Sequence, residues 1–174
     1  RHTIIMVALA LIMPLMFGAA MATAEAERIP LPLYLNRAVF EQIAQKRGVK
    51  VYKHRNSDII RIGAETVLPA PPAQVQRALL DYSKQVGRIA RLSEARVLSR
   101  SARALFVYQR LNLPVIDDRD FTLHVRFGKD GDTRWVSYQA VTHLGPKPRD
   151  GIVRVTHHKG SWQLAPARGG TATR

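Results

Sequence analysis

An antiparallel α+β fold is what this 174-residue sequence predicts, on three observations. Helical periodicity is confined to segments before Leu92, period-two alternation takes over from Ala95, and turn residues punctuate that alternation at short intervals. The tally is roughly seven or eight strands with two or three helices near the N-terminus. A hydrophobic fraction of 46% supplies a core and excludes wholesale disorder. The absence of cysteine excludes disulfides, thiolate metal sites and cysteine nucleophiles. Lys and Arg number 27 against 13 Asp and Glu, and the resulting charge of +14 predicts attraction to an anionic partner without naming it.

The first element is a leader. The chain opens on Arg1, Thr3 to Ala24 carries no charge, Ile4 to Phe17 is apolar, and Ala22-Thr23-Ala24 supplies an A-x-A site. A basic start, an apolar run and a small-residue end predict a signal peptide over residues 1–24, cleaved after Ala24, and hence a periplasmic or secreted protein. All four methionines fall in this stretch, so the composition changes beyond it. The alternative is an uncleaved leader whose 22 uncharged residues anchor the protein in a membrane.

Residues 25–48 read as an N-terminal extension. Ile29 to Leu33, with two prolines, is non-helical; Asn36 then caps a short helix that runs to about Arg47 and stops at Gly48, with Val39, Phe40 and Ile43 on one face. Val49 to Lys53 alternates as a strand, Asn56-Ser57-Asp58 turns, and Ile59 to Leu68 forms the next strand before the Pro69–Pro72 break. From Pro72 to about Leu92 an apolar stripe (Val75, Leu79, Tyr82, Val86, Ile89) and a basic stripe (Arg77, Lys84, Arg88, Arg91) recur at helical spacing. Ser83 and Gly87 are the points at which this helix would divide.

Strands follow. Ala95–Arg100 and Ala104–Leu113 form a hairpin, and Pro114 to Asp118 connects to a run in which Phe121, Leu123, Val125 and Phe127 share one face. Lys129 to Asp132 turns this run into Arg134–Thr142. After the Gly145–Pro148 loop comes one long strand, Ile152 to Leu164; Pro166 to Gly170 turns again, and a strand starts at Thr171.

Three blocks carry a family resemblance: "ETVLPAPPAQVQRALLDY" (Glu65–Tyr82), "LNLPVIDDRDFTL" (Leu111–Leu123) and "RVTHHKGSWQLAPARGGTAT" (Arg154–Thr173). In these, residues 49–174 resemble a START-type lipid-transfer domain of the helix-grip (Bet v 1-like, polyketide-cyclase-like) superfamily. The resemblance implies a curved antiparallel sheet wrapped around a long C-terminal helix, with an apolar tunnel for a lipid, sterol or polyketide between them. The family's last strand and C-terminal helix are missing after Thr173, so a domain truncated at its C-terminus is expected.

Candidate site residues follow from parity and from the resemblance. Phe106 and Tyr108 share a face, as do Phe121, Leu123 and Val125; Tyr138, His157 and Trp162 lie on neighbouring runs, and all are cavity candidates. Parity groups residues without revealing which group faces inward. Arg119, in the family's Arg-Asp step, has two readings. Either it reaches a polar headgroup in the cavity, or with Asp120 it orders the Pro114 connector. Asp117, Asp118 and Asp120 lack the spacing of a calcium loop, and adjacent His157 and His158 point to opposite faces of a strand. No metal and no cofactor are expected.

No G-x-S-x-G, H-E-x-x-H or G-x-x-x-x-G-K motif occurs. With the leader, the resemblance implies a monomeric, exported, non-enzymatic carrier of a lipid or other hydrophobic small molecule. Arg77, Lys84, Arg88 and Arg91 would dock it on an anionic membrane. The alternative is a helix-grip enzyme of the polyketide cyclase or aromatase type, using His157, Tyr108 and Arg119. Basic residues spread without interleaved aromatics argue against nucleic acid.

Overall fold

A computed structural model describes residues 35–174. The leader over residues 1–24 and the Ile29–Leu33 segment lie outside the described residues. The chain begins with a three-stranded antiparallel sheet, β1 (Phe40–Lys46), β2 (Val49–His54) and β3 (Ile62–Glu65). The helix expected to follow Asn36 is therefore a strand. Asn36 does cap a turn, its Oδ1 accepting from the Ala38 amide at 2.9 Å, but the helix does not propagate. The reason lies in Arg47-Gly48, both in the left-handed region (φ 50 and 78), which is the two-residue turn that folds β1 back on β2. Val39 and Ile43, read as a helix face, stay exposed, so no core rewards helix formation there.

Pro71 and Pro72 open α1 (Pro72–Leu80), where the missing proline amide costs nothing. This helix is shorter than the periodicity predicts. The Asp81 carboxylate accepts from Ser83 Oγ at 2.7 Å and pairs with Lys84 Nζ at 2.8 Å, which favours a turn over continued helix. A 3-10 turn over Tyr82–Lys84 follows, and Gly87 at φ 81 bends the chain toward the next strand.

The main sheet has six strands: β4 (Leu92–Arg100), β5 (Ala104–Leu111), β6 (Asp118–Asp130), β7 (Thr133–Ala140), β8 (Ile152–Arg154) and β9 (Lys159–Leu164). The antiparallel order is β4-β5-β6-β7-β9, and β8 runs parallel to the first residues of β6. The single long strand expected over Ile152–Leu164 is thus two strands, because the chain leaves the edge of β6 after Arg154 and rejoins along β7 at Lys159. β10 (Pro166–Ala167) and β11 (Ala172–Thr173) form a short hairpin. Thr173 bridges to Leu68, and its hydroxyl donates to the Ala70 carbonyl at 2.6 Å, tying the last strand to the start of α1.

The core lies between α1 and one face of the main sheet. It is built from Leu105 and Val107 of β5, Phe121, Leu123 and Val125 of β6, Val136 of β7 and Tyr82, with Leu79 and Leu80 packed against them. Each such side chain contributes about 1.5–3 kcal/mol on burial. Glutamines fix the covering segment. Gln76, buried, donates to the carbonyls of Gly128 (2.9 Å) and Trp135 (3.0 Å) and accepts from Arg134 (2.9 Å). Gln109 of β5 donates to Gln85 at 3.2 Å, and Gln85 donates to the Leu79 carbonyl at 3.1 Å.

Candidate functional site

Strand register sorts the candidate residues onto two faces. Leu105 pairs with Val125 and Val107 with Leu123; Val125 pairs with Tyr138 and Leu123 with Ala140; Tyr138 pairs with Gly160 and Val136 with Trp162. Directly paired residues share a face. Phe121, Leu123, Val125, Tyr138 and Trp162 therefore stand together on the apolar face beneath α1. Trp162 is 50% exposed at its rim. Gly160 allows this packing, since a β-carbon there would meet the Tyr138 phenol.

Phe106 and Tyr108 stand on the opposite face. Phe106 stacks on His124 with centroids 4.5 Å apart, and the Tyr108 hydroxyl donates to Asp120 at 3.2 Å under the Arg96 guanidinium. Asp120 is only 1% exposed, and Arg154 of β8 grips it through two hydrogen bonds of 3.0 and 2.7 Å. A third Arg154 bond, 2.6 Å to the Pro146 carbonyl, ties in the loop after β7. The Arg154 guanidinium holds the Asp120 carboxyl below the usual carboxylate range, while burial and then the Asp120 charge push the Tyr108 phenol up.

Arg119 lies at the end of the apolar face, across from Leu111. Its guanidinium donates to the carbonyls of Asp117 (2.6 Å) and Asp118 (3.3 Å), so it closes the connector on itself. Asp118 does the same from the other side, accepting from Arg110 (2.8 Å), Asn112 (3.2 Å) and the Leu113 amide (3.4 Å). These contacts order the connector, but Asp120 takes no part in them, since its partner is Arg154.

His157 is exposed and bonds Thr156 at 2.8 Å. The histidine on the apolar face is His158, which meets the Phe121 and Tyr138 rings, each at 5.1 Å. Burial lowers its pKa, so the imidazole is neutral near pH 7. Burial likewise pushes up the phenols of Tyr82 and Tyr138, the Tyr138 group adding to the effect on Tyr82. Tyr108, Arg119 and His157, the acid–base trio of the enzyme alternative, are not brought together. Among the described residues no three His, Cys, Asp or Glu side chains are arranged to hold a metal ion.

The four basic candidates do not share a helix face. Arg77 is on α1, Lys84 is paired with Asp81, Arg88 sits in the turn closed by a Val86–Ile89 bridge, and Arg91 precedes β4 at φ 69. Arg88 and Arg91 accompany exposed Val86 and Ile89, and the Arg91 carbonyl accepts from Asn112 at 2.8 Å. That bond joins this turn to the connector carrying fully exposed Val115 and exposed Ile116. Among the described residues no helix is long and apolar enough to cross a membrane.

The arrangement of these elements is found in solved proteins. A STAR-related lipid transfer protein from Xanthomonas axonopodis matches with a TM-score of 0.71 at 23% identity, over 78% of each chain. The chain has the START-type helix-grip fold. Human STARD10 matches with a TM-score of 0.72 at 15% identity, over 80% of this chain and 59% of that one. Human StAR-related lipid transfer protein 5 matches at 0.64 and 15%, over 80% and 70%. No protein-family model matches the chain, and no curated protein matches it. In this START-type fold the signal for Tyr82 and His158 was partly legible, Tyr82 as the helix-face aromatic and His158 as the neighbour of His157. Gln76, Gln85 and Gln109 carried no signal, because they act by reaching across to another element.

Proposed function

We propose that the chain is a non-enzymatic carrier that binds an apolar ligand of the lipid class against the apolar face of its main sheet. One observation carries the reading: the apolar face that buries Phe121, Leu123 and Val125 continues past partly buried Tyr138 to half-exposed Trp162, where the cover ends. The solved proteins of the same fold are described as lipid transfer proteins, which supports the same class. The separation of Tyr108, Arg119 and His157 weighs against the cyclase alternative.

Within this proposal the protein is exported by its leader and exchanges ligand at an anionic membrane. The docking surface is the end of the sheet where Arg88 and Arg91 flank exposed Val86 and Ile89, beside Val115 and Ile116. Apolar tips ringed by arginine suit partial insertion among anionic headgroups. Native mass spectrometry of the full protein, purified without detergent, is expected to reveal a co-purifying lipid. Failure to find one, together with no transfer of fluorescent lipid between vesicles, would overturn the carrier reading. Reversing Arg88 and Arg91 to Glu is expected to reduce sedimentation with phosphatidylglycerol vesicles; unchanged sedimentation would remove the docking surface.

A further inference from the structure

We propose that Tyr82, Tyr138 and His158 form the neutral polar end of the ligand site, selecting apolar ligands whose polar terminus is an uncharged hydroxyl or carbonyl. The inference rests on the carrier reading and adds the class of ligand. Tyr82 is 7% exposed within the core of Leu105, Val107, Phe121 and Leu123. Its hydroxyl makes no hydrogen bond among the described residues, yet no side-chain polar atom among them is sealed away without a partner. The Tyr82 oxygen therefore reaches accessible space from a side chain more than nine-tenths buried. Tyr138 packs against the same core, and its hydroxyl likewise makes no hydrogen bond among the described residues. His158 lies against the Tyr138 and Phe121 rings and contributes one ring donor and one acceptor in its neutral form.

These three side chains offer both donors and acceptors but no formal charge. The charged residues of the same face are engaged elsewhere. Arg119 donates to backbone carbonyls, Arg134 to Gln76, and Lys129 faces Asp132 at the exposed tip of the β6–β7 hairpin. Among the described residues no Lys or Arg acts on Tyr82, Tyr138 or His158, so a phosphate desolvated at this cluster would have no adjacent cation, whereas a hydroxyl would exchange hydrogen bonds with two phenols and an imidazole.

The test uses two lipids that differ only at the headgroup, a diacylglycerol and the phosphatidic acid with the same acyl chains. Each is presented to the full chain in phosphatidylcholine vesicles and counted after extraction. Diacylglycerol is expected to be taken up about tenfold more than phosphatidic acid, the worth of one or two hydrogen bonds. The Tyr82→Phe/Tyr138→Phe variant is expected to lose that preference, and His158→Phe to lose part of it, with thermal unfolding confirming that each variant is folded. Equal or better uptake of phosphatidic acid, or a preference that survives in a folded double variant, overturns the proposal. Uptake of neither lipid by folded wild-type protein overturns the carrier reading itself, because the face is then covered by another segment or serves another purpose.

Discussion

The two faces of the main sheet solve the same problem with different chemistry. On one, Leu105, Val107, Leu123 and Val125 are buried by a short helix and a turn, and the surface runs out to a half-exposed tryptophan. On the other, Tyr108, Asp120 and Thr122 are equally buried, but under Arg154, Arg96 and the loop after β7. The lesson is that charge beside the proline connector is architectural here, and the face proposed to take a ligand is the one whose centre is apolar. Nonspecific burial tolerates incomplete cover, whereas a buried carboxylate requires its partner in place.

The largest effect is therefore expected on the charged face. Arg154→Ala leaves Asp120 buried and unpaired and should destabilise the fold by about 3–5 kcal/mol. Urea unfolding measures it, and the Asp120→Ala/Arg154→Ala double variant should recover part of the loss, as a coupled pair requires. A single variant within about 0.5 kcal/mol of wild type would mean that the pair contributes nothing. The same pair sets the acid response. The Asp120 pKa is lowered in the fold, chiefly by its hydrogen bonds with Arg154, so at low pH the unfolded chain binds the proton first. Its contribution is present above the unfolded value of about 3.9 and is lost as pH falls through the folded value. Stability should decline below about pH 4, and Asp120→Asn should flatten that part of the profile.

On the apolar face, Val107→Ala removes two methyl groups at a fully buried position and is expected to cost about 2 kcal/mol, without changing the acid response. A comparable effect is expected in the loop after β7. Gly145 lies so close to the Thr122 hydroxyl that an added β-carbon must push one of them aside, so Gly145→Ala should lower stability by about 1–3 kcal/mol.

Local alternation made the strands legible, because period two survives wherever one face is buried and the other is not. Phe121, Leu123 and Val125 share a face in the sequence pattern and in the sheet for that reason, and Lys129 to Asp132 carry the signal of the β6–β7 turn. Alternation carries no sign, however, so Phe106 and Tyr108 were grouped with each other but not assigned to a face; only pairing with β6 does that. It also fails across a break, which is how His157 came to be favoured over His158: the strand ends at Arg154 and parity restarts at Lys159. β1 departs from the helix expected there because Val39, Phe40 and Ile43 have helical spacing, while the Arg47-Gly48 turn that decides the matter involves only two residues. The Asp120–Arg154 pair joins residues 34 apart in sequence, through a parallel pairing that no local pattern announces.

The two tryptophans allow the faces to be compared in one molecule. Trp162 sits at the rim of the apolar face, whereas Trp135 packs its indole into the space left by the absent side chain of Gly128, on the other face. A lipid settling on the apolar face replaces water around Trp162 and leaves Trp135 as it was. Fluorescence of Trp135→Phe, which reports Trp162 alone, should therefore shift to the blue on adding diacylglycerol, and that of Trp162→Phe should stay constant. The loss of stability in Trp162→Phe should be under about 1 kcal/mol, since the ring is half in water already. A blue shift from Trp135 with none from Trp162 would move the ligand to the charged face and reverse the division of labour between the two.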